Sequence, residues 1–496
     1  MPVDSKHGLY SKSLPDWVQV RDCMAGERAI KAKGEEYLPR LSGMSDDEYL
    51  RYKKKVHFFG ATARVADGLH GAVFSKPPQI AGEVPEPVLD AIRDVDLLGT
   101  TLDQFASDVV WDAMLTNWGG ILVDYSKDAE TVPLAEAEQR GYGAFMKWYQ
   151  AESVINWRYG LVNGKEKLVM LVLHEPYSEV NPLDQFTEET FSRYRVLRLS
   201  LREGGFGEYV QDIYDDQVSM DTPVERDIPI RIRGEALYHI PFYPVPGKLP
   251  EKAMLLDLSF LNIGHYQESA DYQNGKHYTS IPTPIATGCY PETDENGNAK
   301  PTFIGGTKFL HFNNESGAPI DVRFLEFSGQ GMKALRDGIN LTESQMAIMG
   351  AHIITAEKKG VESAAVAGIH RAGENGVLGA FTRNVSEQIT KAVRMFLYWN
   401  GFEAESGDFD YQLNTDYETR ADEARMLQVL LQGRQAGEFP KVTLYRFLKK
   451  AEAIPDDWDF DTFLAELESD TEWDANRRLY LDDGSAGGEP DPGAQE

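Results

Sequence analysis

The chain has little with which to build the commoner kinds of active centre. Its 496 residues include only two cysteines, Cys23 and Cys289, with no CxxC or Cys/His grouping. Neither a disulfide framework nor a zinc site is therefore encoded, and two free thiols are expected. No apolar run approaches the ~18 residues needed to cross a bilayer. The opening MPVDSKHGLYSK has no apolar core of a secretory signal, so the expectation is a cytoplasmic protein with no membrane partner. Positive charge is also scarce: 50 Lys and Arg stand against 79 Asp and Glu, a formal charge of −29. Such a balance weighs against tight binding to a phosphate backbone, which needs cations to displace counterions. It suits either plain solubility or a carboxylate-lined wall past which a polyanion slides without sticking, and composition leaves both open.

Signature motifs are missing as well. No P-loop, HExxH or GxSxG pattern occurs, and Gly164-Lys165-Glu166 and Gly275-Lys276-His277 lack the hydroxyl residue and upstream glycine of a phosphate cradle. The Gly119-Gly120 pair precedes a strand but has no Lys-Ser/Thr after it, and reads as a tight turn. Glu292 to Gly297 looks like the start of a calcium loop, yet Phe303 stands where the bidentate Glu belongs, so a hairpin tip is expected. His265 and His277 are too far apart to share a metal, and structural roles are expected of both. No cofactor or metal follows from the sequence.

What is present is a hydrophobic content of 42%, enough for substantial cores, and clear periodicity. The stretch from Ala253 to Gly401 organises the rest. A first long helix carries Leu256, Phe260, Ile263 and Ala270 as an apolar stripe, while Asp257, Glu268 and Asp271 fall within about 60° of one another as an acidic stripe. After a β-rich excursion over 281–327, a second helix from about Gln330 to Ala351 sets Met332, Leu335, Ile339, Thr342, Met346, Met349 and Ile353 at 3-4 spacing. That is the seam expected when a helix packs nearly parallel to a neighbour. Residues 352–373, rich in Ala and Gly, gather Lys358, Lys359, His370 and Arg371. A third helix buries Leu378, Phe381, Val385, Ile389, Ala392, Val393 and Phe396.

Around that stretch the pattern is α+β. Ser45 caps a helix whose inner side is Tyr49, Tyr52 and Val56, with Lys53 to Lys55 as a solvated face. A helix is expected over about 101–117, a buried strand over 118–125, a short helix between Pro133 and Gln150, and an antiparallel sheet over 155–238 with turns at Asn163-Gly164 and Gly204-Gly205. Helices are expected at 421–435, 442–453 and 460–467, and the acidic, Gly- and Pro-rich end from Asp482 should be disordered.

Five segments, FFGATARVADGLHGAVFSKPP, NWGGILVDYS, LLDLSFLNIGHYQESADYQNGKH, FLEFSGQGMKALRDGINLTESQMAIMGAHIIT and RQAGEFPKVTLYRFLKKAEAIP, resemble in composition and order the portal proteins of tailed double-stranded DNA bacteriophages. The likeness spans roughly residues 50–470. It implies the portal fold: a wing at 1–250, stem helices at 251–280 and 328–353 around a clip at 281–327, a tunnel loop at 354–372, a returning wing helix and strand at 373–415, a crown at 416–480 and a tail at 481–496. It further implies a non-enzymatic homo-oligomeric ring, usually of twelve subunits, at the capsid vertex of the virion, assembled in the host cytoplasm. Double-stranded DNA passes through such a ring non-specifically during packaging and ejection. Its partners are the terminase large subunit, head–tail adaptor, major capsid and scaffold proteins. On that likeness Lys358, Lys359, His370 and Arg371 become channel-proximal cations or remain a plain connector. Asp257, Glu268 and Asp271 face the channel or the adjoining subunit, and Met332, Leu335, Ile339, Met346 and Met349 pack the stem. A soluble hydrolase using paired carboxylates is the alternative.

Overall fold

The computed structural model describes residues 2–81, 84–126, 143–180, 184, 186–202, 205–232, 234–279, 283–287, 319, 321–325, 330–354, 376–402, 409–415, 417, 440–450, 454 and 458–466. Two compact units are present, Met1–Thr415 and Asp416–Glu496.

The first unit opens with four helices: α1 (Gly8–Ala25), α2 (Glu27–Lys33), α3 (Asp46–Lys55) and α4 (Ala61–Val73). The start of α3 is a capping box, in which the Ser45 hydroxyl accepts from Glu48 N–H and the Glu48 carboxylate accepts from Ser45 N–H. Three acidic residues in its first turn and three lysines in its last complement the helix dipole. Cys23, Tyr37, Leu38, Tyr49, Tyr52 and Val56 from this region form a buried cluster. Burial beside Asp22 pushes the Cys23 thiol up to about 12, so it stays protonated at neutral pH. Cys289 lies outside the described residues.

After a short strand β1 (Gln79–Ala81) and helix α5 (Glu86–Ala91), helix α6 (Leu102–Thr116) ends on Asn117 in the left-handed conformation and leads into β2 (Gly119–Tyr125). Then follow β3 (Ala144–Gln150), β4 (Val154–Val162), β5 (Lys165–Val180), β6 (Glu188–Arg202), β7 (Gly205–Asp215), β8 (Glu225–Pro229), β9 (Arg231–Ile232), β10 (Glu235–Ala236) and β11 (Phe242–Pro244). Strands β4 to β8 pair in sequence order as an antiparallel meander, and a three-stranded sheet has the order β11-β2-β3. The helix expected between Pro133 and Gln150 is corrected here: residues 144–150 are β3, paired with β2 along its whole length. Ala144 and Met146 alternate inward, a strand signal that the helical reading passed over, and Tyr149 is buried on the opposite face. The remainder of that expected helix lies outside the described residues.

Gly119 has the positive φ expected of it, at +154°, and both glycines of the pair also answer to close neighbours. A Cβ on Gly119 would sit 2.4 Å from the Trp148 ring, and one on Gly120 would sit 2.1 Å from the Phe242 ring. Each glycine makes room for an aromatic ring from a neighbouring strand. Gly120→Ala is therefore expected to lower stability by about 1–3 kcal/mol through overpacking. Thermal unfolding measures this, and Phe242→Leu added to the same chain should recover part of the loss.

Helices α7 (Leu256–Thr279) and α8 (Gln330–Ile354) flank strands β12 (Thr283–Thr287) and β13 (Asp321–Leu325), and α9 (Val377–Trp399) follows. The face of α9 made by Leu378, Phe381, Val385, Ile389, Ala392, Val393 and Phe396 is buried, and the helix packs on β2, β3 and β11. Strand β14 (Asp410–Gln412) then pairs antiparallel with β1, so residues around 410 close back on those around 80. In the second unit, α10 (Lys441–Lys450) and the helical residues 460–466 are joined by Tyr445, whose ring lies 5.4 Å from those of Phe460 and Phe463. The helix expected at 421–435 and the acidic end from Asp482 lie outside the described residues.

Candidate assembly site

Helices α7 and α8 form an antiparallel pair. The Glu268 carboxylate accepts from the Thr342 hydroxyl, His265 Nε2 lies 3.2 Å from Glu343 Oε1, and Gly275 faces Met332 so closely that a Cβ would come 2.9 Å from its sulfur. Strands β12 and β13 continue the same register, with Thr283 opposite Leu325 and Thr287 opposite Asp321. The described parts of helix pair and strand pair thus share one antiparallel pairing.

Of the expected seam, the Ile353 side chain lies outside the described residues. Within 331–350 the positions not exposed are Met332, Leu335, Gly338, Ile339, Thr342, Met346, Met349 and Gly350, a 3-4 pattern with Met346 buried. The other side of α8 is open, with Leu341 and Ile348 exposed.

The apolar stripe expected on α7 needs correcting. Leu256, Ile263 and Ala270 are buried, but Phe260 is 55% exposed. Ser259, Asn262 and Tyr266, at 0% exposure, define the centre of the buried arc and leave Phe260 at its edge. Of its polar members Ser259 and Asn262 are hydrogen-bonded, whereas the buried Tyr266 hydroxyl has no partner among the described residues. Asn262 Oδ1 accepts from both Thr62 N–H and the Thr62 hydroxyl, and its amide donates to the Phe59 carbonyl. Ser259 accepts from Gln19 and donates to the Leu256 carbonyl, and Gln267 donates to the Tyr37 carbonyl. The base of the hairpin is thereby fastened to α1, α4 and the segment before α3.

Each member of the acidic stripe has a neighbour within the chain. Asp257 forms a 2.6 Å ion pair with Lys252 on the surface, Glu268 accepts from α8, and Asp271 accepts the Tyr52 hydroxyl of α3 at 2.8 Å. Burial, and then the hydrogen bond it donates to Asp271, raise the Tyr52 pKa well above the ordinary tyrosine range. Lys358, Lys359, His370 and Arg371 lie outside the described residues, as does the Glu292 to Gly297 tip.

Sequence reading missed the buried ion networks. Arg195 of β6 reaches Glu175 of β5, Asp124 of β2 and Gln211 of β7, bridging the two sheets, while the Tyr149 hydroxyl donates to Glu175. Burial opposes the charge on Glu175, but Arg195 and Lys147 outweigh it and hold the pKa down to about 2. Asp124, wholly buried, is raised by desolvation against the pull of Arg195. Arg21 joins Asp112 and Glu152, where Trp148 and Gln150 also donate to Asp112, and Arg198 holds Asp212. The one signal available was arginine alternating inward along a strand, which in an acidic chain is easily taken for a solvated face.

Among the described residues there is no group of three or more His, Cys, Asp or Glu placed to hold a metal, and no helix is long and apolar enough to cross a membrane. An open groove of about 270 Å³ lies between β5, β11 and α9, lined by Lys167, Lys248, Lys391 and His239 with Glu166 as its one carboxylate.

The architecture is that of a mixed α and β chain with a long antiparallel helical hairpin. Residues 254–400 match the model of a family described as a domain of unknown function (DUF4055), a span that coincides with the hairpin and α9. Among solved structures the chain is similar to one titled "Neck of empty GTA particle computed with C6 symmetry", at 12% identity and a TM-score of 0.35, covering 84% of this chain and 96% of that one. No curated protein matches.

Proposed function

We propose that the chain is the subunit of a portal-type ring, a non-catalytic channel at a capsid vertex through which double-stranded DNA is packaged, retained and ejected. The observation that carries this reading is the hairpin: α7 and α8 run antiparallel into β12 and β13 in one register, fastened at the base by Asn262, Ser259 and Gln267. Such a projection buries one side and leaves the other for a neighbour, as Leu341 and Ile348 do on α8. On this reading α7 and α8 are the stem, β12 and β13 begin the clip, the sheets with α9 are the wing, and the second unit is the crown. The sequence likeness to portal proteins supports the same assignment. Terminase large subunit, head–tail adaptor, major capsid and scaffold proteins are then the partners, and the virion is the location.

A net charge of −29 per subunit suits a channel in which DNA must not bind tightly. The hydrolase alternative has no observation of its own. The buried carboxylates Asp112, Asp124, Glu175 and Asp212 are each engaged by an arginine in holding sheets and helices together. Negative-stain images of the purified chain should show rings with a central hole. A monodisperse monomer under capsid-like ionic conditions would overturn the proposal.

A further inference from the structure

Strands β5 and β6 outrun the sheet that contains them. Strand β4 first pairs with β5 at Leu173 and β7 last pairs with β6 at Arg193, whereas β5 and β6 go on pairing from Pro176 opposite Ser192 to Val180 opposite Glu188. The root of this ribbon is held, since the Tyr177 hydroxyl donates to Asp215 and Asp216 N–H donates to the Ser192 carbonyl. Beyond it only two strands remain, an arrangement that is marginal without something to pack against. The ribbon has no lysine or arginine between Glu175 and Arg193, and it carries Glu179, Asp184, Glu188 and Glu189. Phe186 near its end is 97% exposed, more than any other large apolar side chain among the described residues, and Val180 is 53% exposed.

The groove described above has the complementary character. Its floor includes Leu168, Ile240 and Phe242, and its rim carries Lys167, Lys248 and Lys391. Lys248 is paired with Glu166 and Lys391 with Glu387, while Lys167 has no ion-pair partner among the described residues, which leaves a positive surplus in a strongly acidic chain. His239 adds no charge at neutral pH, because burial and then Lys167 lower its pKa. Lys167 stands near the start of β5 and Val180 at its end, roughly 40 Å apart at ~3.3 Å per residue. A chain cannot bend one strand to place its own ribbon in its own groove.

We propose that the acidic, Phe186-bearing β5–β6 ribbon of one copy seats in the Lys167, Lys248 and Lys391 groove of the next copy. A contact between two different patches is head-to-tail, and repeated with a closing rotation it makes a ring. This rests on the ring reading and names the wing contact that would close it. Opposite charges on the two patches would steer encounter and make assembly sensitive to salt.

The test uses the full chain with two variants, Phe186→Ser in the ribbon and Lys167→Glu with Lys391→Glu in the groove, followed by sedimentation velocity and native mass spectrometry. Each variant alone should self-associate at least tenfold more weakly than the wild type, with circular dichroism unchanged. An equimolar mixture has one working ribbon and one working groove, so it should give dimers and nothing larger. If both variants form wild-type rings, the ribbon-in-groove contact is overturned and the ring reading stands. If the wild type itself never oligomerises, the ring reading falls and the contact with it. Phe186 is almost fully exposed, so its replacement tests the contact even should the groove variant misfold.

Discussion

Replacing Arg195 by methionine should lower the free energy of unfolding by about 3–5 kcal/mol, the usual loss when one partner is taken from a buried ion network. The reason is what stays behind. Asp124 and Glu175 are both nearly inaccessible, and Arg195 is the cation they share across the β2-β3 and β5-β6-β7 layers. Urea unfolding followed by tryptophan fluorescence reads the loss. Adding Glu175→Gln and Asp124→Asn to the same chain should return a large part of it, because the uncompensated charges are then gone. A loss under 1 kcal/mol for the single variant would mean that water already reaches the network.

The same network sets an acid dependence. Glu175 has a folded-state pKa of about 2, below its ordinary value of 4.5. Its contribution, roughly 3 kcal/mol, is therefore complete above pH ~4.5 and disappears as the pH falls through ~2. Asp124 runs the other way: burial raises its pKa, so its ionisation costs stability at neutral pH, and that cost is relieved as it protonates. The acid limb should be shallower than Glu175 alone would give, and Asp124→Asn should steepen it.

Asn262→Leu is the second large effect expected, about 2–5 kcal/mol. The substitution keeps the branching of the side chain but is bulkier, and it strands the buried Thr62 N–H and hydroxyl together with the part-buried Phe59 carbonyl, at ~1–3 kcal/mol for each group. The consequence is local as well as global, since these bonds hold the base of the hairpin to α4. Hydrogen exchange should show earlier opening of Leu258 to Tyr266 than of the β4–β8 sheet, whose protection should be unchanged. Equal loosening in both places would mean that the hairpin and sheet unfold as one unit.

The seam of α8 was readable because Met332, Leu335, Ile339 and Met346 repeat with the helix period and are apolar. The face of α9 was readable for the same reason. Phe260 misled because hydrophobicity alone located the buried arc of α7, whereas Ser259 and Asn262 occupy its centre as satisfied polar groups. Strand β3 was misjudged because its residues gain their order from long-range pairing with β2, which no local window contains. The Arg195 network was invisible for a related reason: its members come from residues 124, 175, 195 and 211, and only the packing of two sheets brings them together. The positive φ of Gly119 was readable, whereas the rings that also require the pair belong to Trp148 and Phe242 on other strands.

The uniform register of the α7–β12 and β13–α8 legs also makes length an adjustable quantity. Because facing pairs hold from Glu268 and Thr342 through Gly275 and Met332 to Thr283 and Leu325, a matched insertion in both legs between two such pairs would move the far end outward without changing any contact at the base. Two added turns of helix per leg would extend it by roughly 10 Å and return each side chain to nearly the same azimuth. Reach can vary in this design while the fastening at Asn262 stays as it is.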